Sequence, residues 1–362
     1  MKIAQIAPFL EHMPPRGTPD SERALSYLIE ELVRRGHDVT LFGSGDSHLS
    51  AQLDGLCTTE FCHTPATWCR TAETLLAVDQ MFSTYAKDFD IVHSHLGIDG
   101  FSMARHSAIP TLTTLYDRLD APEYVPLFKQ FRDLRLVSVS DAQRKPLSWA
   151  SWQQTVHPGV PSRLFRFNPR PGTYLAFIGS LASNHGLGQA IELAKRTRLP
   201  LRVVSCQDGR DEIPFSFPME LLLDGHGIEW VGDLREEERN DFLGGAMGLI
   251  CTPGNPGASA LTVAEAFACG TPVLALQGGS EPEMIYDHVT GFVCSNLDEL
   301  VDVMPLVKDL DRRECRRAFE KRFTAKRMAD RYLQLYTRLL AVRSPWSSRV
   351  SDCMALSAAG CR

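Results

Sequence analysis

At 362 residues the chain is too long for one ordinary core and suits two domains of about 150 residues each. Hydrophobic residues at 44% and charged residues at 23% are ordinary globular values, and a net charge of −6 excludes a field that gathers nucleic acid. No apolar run approaches the roughly 20 residues of a membrane span.

The N-terminus, MKIAQIAPFL, carries one lysine and an apolar stretch broken by Gln5 and Pro8, so it reads as a strand and not as a leader. After a Pro-rich loop a helix is expected from Ser21, which can cap it. Ala24, Leu25, Leu28, Ile29, Leu32 and Val33 fall on one face, and Gly36 stops the helix before the strand DVTLFGS. Cys57, Cys62, His63 and Cys69 lie close together, but their spacing is irregular for a zinc site, whose ligand pairs stand roughly two to four residues apart. No metal is expected. The 10 cysteines form no disulfide framework and read as reduced thiols of a cytoplasmic protein.

Strands follow at DIVHSH, PTLTTLY, LRLVSVS and QQTVHP, with helices expected near 72–87, 98–107 and 141–149. Apolar strands alternating with amphipathic helices imply a parallel sheet covered on both faces. The stretch from Pro158 to Gly172, rich in Pro, Arg and Gly, reads as a linker. The rhythm then restarts: YLAFIGS, a helix from Leu187, LRVVS, IEWVG, a helix from Arg235, GLICTP, a helix from Leu261 to Cys269, and TPVLAL. The α/β class thus takes the form of two doubly wound Rossmann-like domains, 1–165 and 171–324, with a ligand cleft between their strand ends. A helix over 325–342 is expected to cross back onto the first domain, and 343–362 reads as a poorly ordered tail.

Three segments carry a resemblance: APFLEHMPPRGTPDSERALSYLIEELVRRGHDVTLFGSGDS, LTVAEAFACGTPVLA and GGSEPEMIYDHVTGFV. Together they resemble glycosyltransferase family 4 over about residues 1 to 342. The resemblance implies the GT-B fold and transfer of a sugar from a nucleoside diphosphate sugar, as co-substrate, to an acceptor with retained configuration. It implies no required cofactor or metal. It makes Glu265 the second glutamate of the family's pair, which accepts hydrogen bonds from the ribose. Leu261 and Thr262 stand at the start of the same helix, where N–H groups can hold phosphate, and Gly179 ends the strand on the phosphate side.

The chain departs from the family at five places around the sugar diphosphate. The first glutamate of the pair is replaced by Gly257, followed by Ala258. The Arg and Lys that face the diphosphate are Ser180 and His185. The usual Gly-Gly pair reads Thr18-Pro19-Asp20-Ser21, and the sugar-contacting His is Tyr116, followed by Asp117.

Arg16 and Asp20 in the first loop and Glu283 of SEPEMI are candidate substrate contacts, Glu283 alternatively a helix cap. His95, at a strand's C-terminal end, is the candidate for acid–base or acceptor contact beside Tyr116 and Asp117. Asp99, Asp120 and Glu123 also follow strand ends.

The basic residues from Arg312 to Arg331 read as a solvated helix face, with peripheral contact to anionic lipid as the alternative. The acceptor is a small molecule or a glycan. Three functions stay open: a retaining glycosyltransferase, an enzyme on the same scaffold acting on glycosides without a nucleotide (phosphorylase, hydrolase or epimerase), and a non-catalytic sugar-binding homologue.

Overall fold

The computed structural model describes residues 1–8, 12–15, 20–45, 47–57, 76, 78–179, 186–205, 227–232, 234–253, 260–279 and 281–341. The first domain runs β1 (Lys2–Ile6), α1 (Asp20–Arg34), β2 (Asp38–Ser44), β3 (Gln52–Cys57) and β4 (Ile91–Ser94). It continues with α2 (Phe101–His106), β5 (Thr111–Leu115), α3 (Tyr124–Gln130), β6 (Leu136–Ser138), α4 (Asp141–Arg144) and β7 (Trp152–Thr155).

All its strand pairs are parallel, in the order β3-β2-β1-β4-β5-β6-β7. The order turns back between β1 and β4, so the crevice at their C-terminal ends is where such a sheet receives a ligand.

The second domain runs β8 (Tyr174–Gly179), α5 (Leu187–Thr197), β9 (Leu201–Ser205), β10 (Ile228–Gly232), α6 (Glu236–Gly244) and β11 (Ala246–Cys251). It ends with α7 (Ala260–Cys269), β12 (Val273–Leu276), β13 (Gly291–Cys294), α8 (Leu297–Val307) and α9 (Arg312–Arg322). Its sheet is likewise parallel, β10-β9-β8-β11-β12-β13, with the switch point between β8 and β11. A last helix, α10 (Ala325–Ala341), returns to the first domain: Arg35 on the loop after α1 pairs with Asp330 at 2.7 Å. The two crossings between domains lie side by side, Val160 N–H donating to Phe323 O at 2.9 Å and Ala325 N–H to Val160 O at 2.8 Å.

Helix α7 is buried on every side, which explains a sequence with almost no polar face. Gly270 ends it at φ +82°, a left-handed turn in which a Cβ would lie 2.6 Å from the Phe167 ring.

Four local expectations change. Helix α1 begins at Asp20, so Ser21 lies inside it, its hydroxyl 2.5 Å from the Glu22 carboxylate, and does not cap it. Within 72–87 the described residues hold a short helical piece, then a π-turn (Met81–Tyr85) and a 3-10 turn from Ala86. Strand β3 had no β-branched signature to reveal it, since Asp54 and Gly55 are poor strand formers.

The basic stretch is not one solvated face. Arg312, 6% exposed, donates to the carbonyls of Asn168, Ala246 and Gly244 and to Thr271. Arg316 serves Phe165 O and Ala268 O, and Arg322 serves Glu283 O and Met284 O. Turned inward, these guanidiniums donate to backbone carbonyls of the linker and of helix and turn ends in the second domain. Lys321, Arg327 and Arg331 line an outward groove of about 410 Å³, with Asp330 among them.

Candidate functional site

The site is built where α1 of the first domain meets α6 and α7 of the second. Glu265 is fully buried one turn into α7, and each carboxylate oxygen is taken by an arginine. Arg239 of α6 donates to Oε2 through Nε at 3.1 Å and Nη2 at 2.6 Å. Arg23 of α1 reaches Oε1 from the opposite domain. Burial pushes the Glu265 carboxyl up, but Arg23 and Arg239 outweigh it and hold the group below the usual carboxylate range. Glu265 is therefore an anion in a dry site.

Arg23, 5% exposed, joins four partners. Besides Glu265 it bonds Asp20 Oδ1 at 3.1 Å and the Tyr27 hydroxyl at 3.2 Å, and lies 3.9 Å from Glu236. Tyr27 in turn donates to Glu236, whose carboxyl is raised by burial. The other Asp20 oxygen accepts from Thr262 Oγ1 at 3.2 Å. Asp20 thus joins α1 to the first turn of α7. Arg239 Nη1 is buried and has no hydrogen-bond partner among the described residues.

A second bridge crosses the cleft at Glu283. Its carboxylate accepts from the N–H groups of Asp141 and Ala142, each at 2.9 Å, and lies 2.7 Å from His157 Nε2. Glu283 caps the start of α4 in the first domain and not its own turn, the bland half of its expectation in another place.

His95 lies at the crevice beyond β4 but is only 3% exposed, in a closed polar chain. Tyr116 donates to His95 Nδ1 at 3.0 Å, His95 Nε2 to Gln5 Oε1 at 2.9 Å, and Gln5 Nε2 to the Tyr336 hydroxyl at 3.2 Å. The Tyr336 hydroxyl lies 2.6 Å from His93 Nδ1, and His93 Nε2 lies 2.8 Å from Thr114 Oγ1, which bonds Tyr332 at 3.0 Å. Burial lowers His95 to about 3 and His93 well below its ordinary value, so both are neutral. His95 cannot exchange protons with an acceptor from this position. The outer member of the chain is Tyr116, half-buried, whose phenol burial raises well above its ordinary value. Asp117 is exposed beside Gly97, and Asp99, Asp120 and Glu123 are exposed at the rim, Asp120 paired with Arg118.

The structure therefore brings Asp20, Thr262 and Glu265 together, keeps Glu283 apart on its own bridge, and groups His95 with Tyr116. Gly179 ends β8 at the switch point, and Leu261 is fully buried in the first turn of α7. Arg16, Ser180, His185, Gly257 and Ala258, with Cys62, His63 and Cys69, lie outside the described residues. Arg23, Tyr27, Glu236 and Arg239 escaped the sequence reading. Arg239 sits in the run EEERN, which reads as solvated, and Arg23 shows no local signal because its partner is 242 positions away.

Beyond β8, Gly186 starts α5 at φ +79°, and a Cβ there would lie 1.8 Å from Thr252 Oγ1. That hydroxyl is buried without a hydrogen-bond partner among the described residues. Backbone alone fits at this approach.

Comparison with known proteins agrees with this architecture. The family model Glycosyltransferase Family 4 matches residues 21–161, and Glycosyl transferases group 1 matches residues 165–322. The chain is a glycosyltransferase-like enzyme with the GT-B fold. Among solved structures it resembles sucrose-phosphate synthase from Thermosynechococcus elongatus, with TM-score 0.76 and 15% identity over 94% of this chain and 99% of that one. AviGT4, a glycosyltransferase involved in avilamycin A biosynthesis, aligns with TM-score 0.68 and 19% identity, over 94% and 98% of the two chains. Anabaena HepE, solved in complex with UDP-glucose, gives 0.69 and 14%, over 93% and 100%. No curated protein sequence matches the chain. None of the described helices of this GT-B enzyme is long and apolar enough to cross a membrane.

Proposed function

We propose that this GT-B enzyme transfers a sugar from a nucleoside diphosphate sugar to a small-molecule or glycan acceptor with retention of configuration. The observation that carries this reading is Glu265, a buried carboxylate kept ionised by Arg239 and Arg23 at the start of α7. A ribose diol is a suitable donor pair for such an anion, and the first turn of α7 with Thr262 offers N–H and hydroxyl donors to phosphate. HepE, on the same fold, binds UDP-glucose.

On this reading the donor lies against Gly179, Ser180, His185, Gly257, Ala258, Leu261, Thr262 and Glu265, without a metal. The acceptor approaches from the first domain. The C1–oxygen bond to the diphosphate breaks, a bond from C1 to the acceptor oxygen forms, and the acceptor proton leaves with the diphosphate. Tyr116 donates a hydrogen bond to His95, which leaves its oxygen lone pairs to accept from a sugar or acceptor hydroxyl. Asp117 and Arg16 stand for rim contacts. The buried Cys269, Cys294 and Cys315, which form no disulfide among the described residues, fit a reducing, cytoplasmic setting. Contact with anionic lipid falls to the outward groove of Lys321, Arg327 and Arg331. Salt-sensitive sedimentation with anionic vesicles tests it, and its absence removes it.

Titration calorimetry with UDP, GDP and ADP tests the donor reading. Binding of one of them that is lost in Glu265→Ala supports it; silence from all three overturns it. One observation favours a nucleotide-free enzyme or a binding homologue instead: the carboxylates of Glu265 and Glu283 are both already bonded to the first domain. Cleavage of a simple glycoside by water or phosphate, independent of any nucleotide sugar, would support that second reading.

A further inference from the structure

We propose that Arg23, on the first domain, is the cation that binds the donor diphosphate, and that Asp20 holds the phosphate's place until the donor arrives. The inference rests on the donor reading above and deepens it. The second domain offers no arginine or lysine at Ser180 and His185, so a diphosphate leaving group needs its positive charge from elsewhere.

Two arginines meet at Glu265, and they are held differently. Arg239 is 1% exposed and locked by Nε and Nη2 on a single carboxylate oxygen. Its Nη1 is left without a hydrogen-bond partner among the described residues, a donor that wants an acceptor. Arg23 instead divides its two terminal nitrogens among Asp20, Tyr27 and Glu265, partners drawn from two domains. It can leave Glu265 without leaving that carboxylate unpaired, because Arg239 remains.

Asp20 marks where Arg23 would go. One of its oxygens accepts from Thr262 in the first turn of α7, and the other binds Arg23. A carboxylate between a hydroxyl, a helix start and a guanidinium has the partners a phosphate would seek. Thr262 and Glu265 are three residues apart on one helix face, about 5 Å along the axis. A rotamer change of Arg23 spans that distance. When ribose hydroxyls take Oε1 of Glu265, the guanidinium turns to the diphosphate, and Asp20, of like charge, withdraws.

Calorimetric titration of wild type, Arg23→Met and Arg23→Lys tests this, using UDP, GDP and ADP with their monophosphates. For the base that binds, Arg23→Met is expected to weaken the diphosphate by about 10- to 100-fold while changing the monophosphate less than about threefold. Arg23→Lys recovers part of the loss. Arg23→Gln, which keeps a donor for Glu265 and loses the charge, gives the same reading should the Met variant not fold. Unchanged or tighter diphosphate binding in the neutral variants would show Arg23 to be an obstruction and overturn the proposal. Equal weakening of diphosphate and monophosphate would also overturn it, by making Arg23 a support for Glu265 alone. Silence of the wild type toward all six nucleotides removes the donor reading itself, and with it this inference.

Discussion

Lowering the pH from 7.5 to 5 should destabilise the first domain through His95. The ring is 3% exposed, both nitrogens are taken by Tyr116 and Gln5, and its folded value falls to about 3. An unfolded histidine titrates near 6.5, so between these values the unfolded chain binds the extra proton, and stability falls as pH falls. The contribution is fully present above about pH 6.5, and about 2 kcal/mol of it is gone at pH 5. His93, lowered by the same burial and by its neighbour His95, adds a loss of the same sign. Urea unfolding followed by tyrosine fluorescence at pH 7.5 and 5 measures the difference, and His95→Gln should reduce it. An imidazole carbon signal of His95 titrating near 6.5, or an unchanged pH slope in His95→Gln, would refute the reasoning.

Three further outcomes are expected. Glu265→Gln removes the charge that pairs Arg239 in a buried site and should cost about 3–5 kcal/mol in denaturant unfolding. Arg312→Ala, which strips four acceptors of a buried guanidinium, should lower stability by about 3 kcal/mol, against under about 0.5 for Arg313→Ala on the exposed side of α9. Gly186→Ala forces a Cβ into Thr252 and a left-handed alanine, so it should unfold at lower temperature and bind a nucleotide diphosphate more weakly. Thermal melts with and without nucleotide check both.

Much of the architecture was readable because it rests on local signals. Alternating apolar strands and amphipathic helices gave two parallel sheets, and ACGTPV gave the end of α7, where a glycine must take a positive φ. β3 was missed because Gly55 and Asp54 give a strand no propensity, its place being set by pairing with β2.

The site was legible only in part. Glu265 stands in an apolar helix, where a buried carboxylate needs a partner. Which partners it has could not be read, since Arg23 and Arg239 come from helices on two domains and look like surface residues in sequence. His95 had the right strand end for catalysis, but sequence does not show that Tyr116 and Gln5 take both its nitrogens, or that Tyr336 and Tyr332 of α10 join the same polar chain through His93 and Thr114. Glu283 likewise found its helix start on the other domain.

The claim on which the rest depends is that a nucleoside diphosphate sits against Glu265. Titration calorimetry of UDP, GDP and ADP into wild type and Glu265→Ala, with circular dichroism confirming that the variant is folded, tests it most directly. Saturable binding of at least one nucleotide at millimolar concentration or below, weakened at least tenfold in the variant, is the predicted result. No heat from any of the three, or equal binding by both proteins, would contradict the account.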